Sequence, residues 1–444
     1  MSQPTLEASV AQGIQTDLAQ IVTAATNFVS GLRTCQGIVQ AEEDFRGLLH
    51  SLGAKMLGLV LEQADPELRH ALREQGHADG RGSICKGTLK SKGMKATTVL
   101  TLVGSTRTRQ WTCTCSLCGR FMGSVDTLLR AVNGMTPACA SAVSLAAVLA
   151  PFEQAQKTLA VMAGLEVDDN RVHRTVALAA PRAQALMKLV PDAAAAEMPP
   201  KGAQVYVMMD GGRIRLRANH GEWREPCVAL VLWRAVDGTW RKHGVSHPTE
   251  KAPVLAVLDA WMARFAPGTE WEVVIIADGA EWIWQWADRY RWAFQILDYY
   301  HVKEHVWEAA RELYGEDTPK AAQWVDSIMG RLWRGWVLST VDVLDRMKFS
   351  GLAASAKARA VKKLATYLNN HNGLIRYGAE RNAGRGIGSG SIESFCKQLF
   401  TMRMKGPGMF WGEEGAANVM SLRTAYLTGH WGQLWEGQAL AKSA

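Results

Sequence analysis

Two apolar runs of strand character each stop on an aspartate followed by glycine: Val205-Tyr-Val-Met-Met-Asp210-Gly and Val273-Val-Ile-Ile-Ala-Asp278-Gly. With the first of these, at 204–209, strand-like runs at 213–218 and 227–234 predict an antiparallel meander. A helix at about 252–265, the 272–277 strand, a Trp-rich helix and Phe294-Gln-Ile-Leu297 follow. Strands that give way to helix–strand alternation predict a mixed α/β sheet with helices packed on it. Such a sheet, rather than loop chance, would place the two carboxylates. An isolated Asp-Gly after a strand is more often only a turn. A third acid, Glu393, stands in Gly388-Ser-Gly-Ser-Ile-Glu393-Ser, a loop rich in helix-capping residues that puts the acid in the first turn of a helix. Three such acids on one sheet edge would suit two divalent cations about 4 Å apart, a geometry for phosphodiester cleavage.

The remaining pattern divides the chain. Residues 1–80 read as a helical region, with Phe45, Leu48, Leu49, Leu52 and Met56 at helical spacing. Residues 81–135 read as a basic β segment, with two short strands around Gly104 that lead into clustered cysteines. Residues 136–186 hold a helix, a tight turn at Gly164 and a second helix capped by Asp168 or Asp169, a helix–turn–helix-like pattern. Pro191 and Pro199-Pro200 mark a linker over 187–202. The sheet follows over 203–300, an almost wholly helical insertion over 301–380, and a last part over 381–444 that carries Glu393 and a C-terminal helix.

The net charge of +8 is concentrated. Arg81 to Arg120 contains four lysines and four arginines and no acid, which leaves the rest of the chain neutral in sum. A polyanion is the natural partner for such a segment, because Lys and Arg gain affinity by releasing counterions from a phosphate backbone; a solvated basic loop is the plainer reading. Arg107 and Arg109 lie within it, and Arg171 and Arg174 lie on the second helix of the helix–turn–helix-like pair. From Arg376 to Lys405 six basic residues outnumber two acids, and Lys397, Arg403 and Lys405 surround the Glu393 helix. Sixteen of the seventeen tryptophans lie after residue 220, where core packing explains them better than base stacking. No apolar run approaches the length of a membrane span and no secretory leader opens the chain, so a cytoplasmic protein that does not enter the membrane is expected.

Two clusters invite a metal reading. Cys113-Thr-Cys115-Ser-Leu-Cys118-Gly holds a zinc-ribbon-like knuckle, with Cys85 and His77 as the outlying candidates for a second pair. They do not form a clean pair in sequence, which predicts at most a weak or partial zinc site; the alternative is a metal-free hairpin with small buried cysteines. In Asp298-Tyr-Tyr-His301-Val-Lys-Glu-His305 the histidines sit one helical turn apart, but no third ligand completes a zinc-enzyme pattern. A supporting role for Asp298 and His301 beside the acids is the better expectation.

These residues together resemble the DDE transposases of bacterial insertion sequences. Asp298-x-x-His301 is similar to the Cys/Asp-x-x-His signature of the Mutator-like and related groups. The stretches DYYHVKEHVWEAA and GIGSGSIESFCKQLFTMRMKGPGMFW resemble the ISKra group, with likeness over roughly 95 to 430. The resemblance implies an RNase H-like catalytic core with a helical insertion, preceded by helical and helix–turn–helix or small β DNA-binding regions. It implies Asp210, Asp278 and Glu393 as a triad for Mg²⁺ or Mn²⁺, and double-stranded DNA, both element ends and target, as the partner. It also implies a homodimer or larger synaptic assembly in a bacterial, nucleoid-associated setting. Other uses of such a chain are a transposase-derived DNA-binding protein without catalysis and a structure-specific nuclease on the same core.

Overall fold

The computed structural model describes residues 35–78, 84–129, 133–190, 198–217, 221–268 and 270–435, with 15, 18–23 and 26. By contact density the chain divides into two compact units, Met1–Arg182 with Trp431–Ala444, and Ala183–His430.

In the first unit a long helix, α1 (Cys35–Gln75), lies along a three-stranded antiparallel sheet of β3 (Leu89–Thr101), β4 (Gly104–Cys115) and β5 (Phe121–Gly123). The strands are longer than the sequence suggests, because Thr106, Thr108, Gln110 and Thr112 are polar yet buried. Their burial is tolerated through hydrogen bonds, as a buried polar group requires. Thr108 Oγ1 donates to the Gly58 carbonyl of α1 at 3.0 Å, and Gln110 Nε2 donates to Asp126 at 2.6 Å. Asp65 of α1 is 2 % exposed and accepts from the Trp111 amide at 2.8 Å and from the Ser124 hydroxyl. A short ribbon of β1 (His77–Ala78) and β2 (Ile84–Cys85) precedes the sheet. After α2 (Ser124–Leu129) and α3 (Pro137–Leu149) comes the expected helix, turn and helix: α4 (Phe152–Ala163), Gly164 at φ 60°, and α5 (Asp169–Lys188). Asp168 is the cap, its Oδ1 accepting from the Arg171 amide at 2.8 Å. The helix runs on past Ala180 and through Pro181, further than the sequence pattern predicts.

The second unit is built on a five-stranded mixed sheet in the order β10-β9-β6-β11-β12, from β6 (Gln204–Gly211), β9 (Cys227–Arg234), β10 (Trp240–His247), β11 (Glu272–Ala277) and β12 (Phe294–Leu297). β10, β9 and β6 are antiparallel neighbours; β6, β11 and β12 are parallel. The meander differs from expectation in one strand. The 213–218 run contributes only β7 (Ile214–Arg215), which pairs with β8 (Trp223–Arg224) in a separate ribbon. The third meander strand is β10, whose sequence Trp-Arg-Lys-His-Gly-Val-Ser-His lacks an apolar run because its first half is solvent-facing.

Both sheet faces are covered. Val205, Val207 and Met209 share one core with Leu258, Trp261 and Met262 of α6 (Ala252–Arg264) and with Ile283 and Trp286 of α7 (Glu281–Ala287). On the other face, β10 meets the helix Glu413–Leu427: Thr424 bonds Ser246 at 2.8 Å and packs over Gly244. The three alternating tryptophans of α7 are spread around its axis. Trp286 is buried with its indole N–H on Asp259 at 2.7 Å, Trp284 donates to the Asp278 carbonyl at 2.7 Å, and Trp282 stacks beneath Lys251 at 4.6 Å. Between Asp298 and the Glu393 region the chain is helical: α8 (Tyr299–Tyr314), α9 (Pro319–Trp333), α10 (Val337–Asp345), α11 (Ala354–Asn370) and α12 (Tyr377–Asn382).

Candidate active site and metal centre

Asp210 and Asp278 meet because their strands are parallel. β6 and β11 pair with Val207 beside Ile275 and Met208 beside Ile276. The same register continued by two residues brings Asp210 opposite Asp278, just past the end of β11, and the charge of Asp278 acts on Asp210. Both are half-buried and line an open cleft of about 320 Å³ with Glu225, Arg213, Lys405 and Trp282. The Asp278 loop is held by its own carboxylate, which accepts from the Ala280 amide at 3.0 Å.

The glycines after these acids serve close approach rather than a sharp turn. Gly211, Gly212 and Gly279 all avoid the left-handed region. A Cβ at Gly212 would lie 2.7 Å from the Phe400 ring, and one at Gly279 would lie 2.6 Å from the Tyr367 ring. Tyr367 comes from α11, so the helical block packs against Gly279, next to Asp278. Burial raises its phenol, with the charges of Asp278 and Asp298 adding to the effect.

Glu393 occupies the first turn of α13 (Gly390–Cys396), as expected. The acid is exposed, and Oε1 accepts from Ser389 Oγ at 2.7 Å. On the same helix the buried Cys396 donates its thiol to Asp210. Burial pushes the Asp210 carboxyl up to about 6; the Gly211 amide and the Cys396 thiol pull it down, while the charges of Asp278 and Glu393 push it further up. Asp210 therefore feels both other acids, although the three are not among the described groups whose ligand atoms all lie within 4.8 Å of one another.

Asp298 is fully buried and caps α8, its Oδ1 accepting from the His301 amide at 2.7 Å. His301 is half-buried and its ring stands 4.9 Å from that of His305, which lies 4.2 Å from Tyr367. Burial and the neighbouring His301 lower His305.

The basic candidates separate. Lys397 and Lys405 are exposed, and Lys405 lines the cleft. Arg403 does not join them. It is 2 % exposed, its guanidinium lies 5.0 Å from the Trp411 ring, and burial lowers it to about 10. It packs in the interior against Trp411 and near Arg423, so the expectation that it faces DNA is corrected. In the first unit Arg107, Arg109 and Arg174 are exposed, and Arg171 is half-buried with Nη2 on the Asn133 carbonyl at 3.4 Å. Glu225, Arg213, Ser389, Cys396 and Tyr367 were not foreseen. Only antiparallel pairing of β6 with β9 brings Glu225 near, where it lies 3.1 Å from a Cβ built on Gly211.

The cysteine cluster of the first unit is more complete than its spacing predicts. Ligand atoms of His77, Cys85, Cys115 and Cys118 all lie within 4.8 Å of one another and could hold a metal ion. The second pair is hidden in sequence because His77 and Cys85 come together as directly opposed residues of the β1–β2 ribbon. Cys115 and Cys118 form the knuckle, with Gly119 at φ 69°. Cys85 and Cys115 sulfurs are 3.7 Å apart, against about 3.8 Å for two thiolates on a tetrahedral zinc with bonds of about 2.3 Å. His77 Nε2 lies 3.1 Å from Cys118 Sγ. A Cβ at Gly87 would meet Cys115 Sγ at 2.5 Å, so glycine there leaves room for the sulfur. The amides of Cys118 and Leu117 lower the Cys115 thiol against the opposing effect of its burial. Cys113 does not belong to the set. It sits two residues from Cys115, about 6.7 Å along the strand, among Leu72, Trp111 and Met122.

No family model matches the chain, and no curated protein matches it either. Among the described residues no helix is long and apolar enough to cross a membrane.

Proposed function

We propose that the protein is a DDE-type DNA transposase that cuts and joins DNA at the ends of its own element. The observation that supports this best is the placement of Asp210 and Asp278 side by side at the carboxyl ends of adjacent parallel strands, with Glu393 near enough to raise Asp210. The sheet order, three antiparallel strands followed by two parallel ones, suits an RNase H-like core. The donor set is all oxygen, which suits Mg²⁺ or Mn²⁺. Two such ions on Asp210, Asp278 and Glu393 would supply activation of the attacking hydroxyl and stabilisation of the leaving oxygen. Lys405 and Arg213 at the cleft offer positive charge to the phosphate, and Trp284 and Ala280 fix the Asp278 loop. Incubation of the purified protein with a labelled element end and Mn²⁺ tests the reading. Cleavage followed by joining to a second duplex is expected; cleavage without joining would favour a structure-specific nuclease, and binding alone a DNA-binding protein.

The Asp210 carboxyl gives a pH prediction. Its proton is held more tightly in the folded site than in an unfolded chain, so ionised Asp210 costs stability; the cost is full above about 6, shrinks as pH falls below about 6 and is gone below the ordinary carboxylate value of about 4. Divalent cations compete with this proton. Metal-dependent cleavage is therefore expected to rise with pH up to about 6, by at most about tenfold per unit, and then to level off. A rate flat from pH 5 to 7 at subsaturating Mn²⁺ would contradict it.

Arg107 and Arg109 supply a second expectation. Both project from β4 into solvent, in the segment that carries the chain's excess charge. Replacing both by Ala in the full chain is expected to weaken DNA binding and to lower the slope of log K against log salt by about two. An unchanged salt slope would remove this strand from the interface.

A further inference from the structure

We infer that Asp298 and Ser389 form a clamp that sets Glu393 against Asp278, and that both are positioning residues for the metal-binding acids. The inference rests on the functional reading above, since it assigns Glu393 a ligand's task. Asp278 and Glu393 are separated by more than a hundred residues of mostly helical chain. Their relative placement must therefore be fixed by something short. Four hydrogen bonds supply it.

The Asp298 amide donates to the Ala277 carbonyl at 2.8 Å, which ties Asp298 to the residue immediately before Asp278. Its carboxylate is shared: Oδ1 caps α8 through the His301 amide, and Oδ2 accepts from the Ser389 amide. Ser389 then turns its hydroxyl onto Glu393 Oε1 at 2.7 Å, which leaves the other carboxylate oxygen without that bond. Beside this path the Tyr299 amide donates to the Ile387 carbonyl at 3.0 Å. The preceding residues extend the anchor along the sheet. The Gly386 amide donates to the Tyr206 hydroxyl at 2.9 Å, and Arg385 pairs with Glu272 at 3.0 Å and with Glu380 at 2.8 Å. Residues 385–389 thus form a strap across the sheet that ends at the clamp.

Asp298 is 0 % exposed and Ser389 is 5 % exposed. A buried carboxylate with both oxygens committed to backbone amides resists rotation, because either bond lost leaves an unsatisfied amide. The arrangement also explains why the residue at 298 carries two acceptors. An asparagine there could cap α8 with its oxygen, but would turn an NH₂ toward the Ser389 N–H. Outer groups that orient metal-binding side chains typically change metal affinity by about 10–100-fold when removed.

The test compares Ser389→Ala, Ser389→Thr and Asp298→Asn with the unaltered protein, using Mn²⁺ as the probe. Bound Mn²⁺ is counted by electron paramagnetic resonance, and cleavage is followed across a Mn²⁺ titration. Ser389→Ala removes only the hydroxyl on Glu393 and keeps the backbone amide on Asp298, so folding should survive. It is expected to raise the Mn²⁺ concentration for half-maximal cleavage about tenfold, with the rate at saturating Mn²⁺ within about threefold of normal. Ser389→Thr keeps the hydroxyl and should restore the titration. Asp298→Asn should shift it further in the same direction.

An unchanged Mn²⁺ titration in folded Ser389→Ala overturns the clamp, as does a shift that Ser389→Thr fails to reverse. The functional reading fails separately. If the unaltered protein binds Mn²⁺ through Glu393, as judged by Glu393→Gln, but cleaves nothing, the transposase proposal falls while the binding titration still decides the clamp. If Glu393→Gln leaves Mn²⁺ binding unchanged, Glu393 is no ligand and the clamp falls with that assignment.

Discussion

Asp278→Asn is expected to abolish strand cleavage, by about a thousandfold or more, while DNA binding stays nearly intact. The substitution keeps the side chain's size and its oxygen, so the bond from the Ala280 amide can persist and the loop should hold its shape. What is lost is one negative charge between two parallel strands, where Asp210 already resists ionisation. Without a cation the acids repel DNA phosphates, so removing a charge should not weaken binding. Glu393→Gln should behave alike. Glu281→Gln, three residues on in α7 and exposed, should cleave normally. Cleavage and binding measured on the same preparations decide the matter. Normal cleavage by folded Asp278→Asn would sink the two-metal proposal.

The second large effect concerns the thiol–imidazole cluster. One zinc ion per chain is expected on His77, Cys85, Cys115 and Cys118, and its removal should unfold the segment that these residues close. Structural zinc sites in small peptides contribute about 10–16 kcal/mol at neutral pH, more than a segment with so small an apolar cluster gains otherwise. A strong chelator should therefore remove a cooperative melting transition. Cys115→Ala should abolish zinc in metal analysis, whereas Cys113→Ala should retain it, because Cys113 is not among the four residues whose ligand atoms gather. Full zinc content in Cys115→Ala would refute this ligand set.

These two sites show where a sequence is legible. Asp210 and Asp278 could be picked out because a strand buried on both faces leaves an unbroken apolar run, and the polar residue that ends it is conspicuous. Glu393 was marked by its capping loop. The four candidate metal ligands were half visible. Cys115 and Cys118 are local partners, but His77 and Cys85 become neighbours only through strand pairing, and the third cysteine of the run misled. β10 and the Thr-rich side of β4 escaped because polar residues buried with hydrogen-bond partners look like solvent-facing ones. Arg403 shows the reverse error: a charged residue in a basic stretch was read as exposed, whereas its guanidinium lies over Trp411 in the interior. Ser389 was read only as one of the capping residues, since its bond partner Asp298 lies 91 residues earlier.

The single bond from the Tyr299 amide to the Ile387 carbonyl also bears on how such a chain can change over time. It brings the beginning and the end of the helical block side by side, so the block is a closed excursion from the sheet. The free-energy cost of closing a loop grows slowly with its length, by about 0.6 kcal/mol per doubling. Length can then be added or removed cheaply in the parts of the block that do not carry Tyr367, which packs against Gly279 beside Asp278, or the Glu380–Arg385 anchor. The block is therefore the part of the fold whose length chain-closure entropy constrains least, while the residues at its mouth and Tyr367 are held by their contacts.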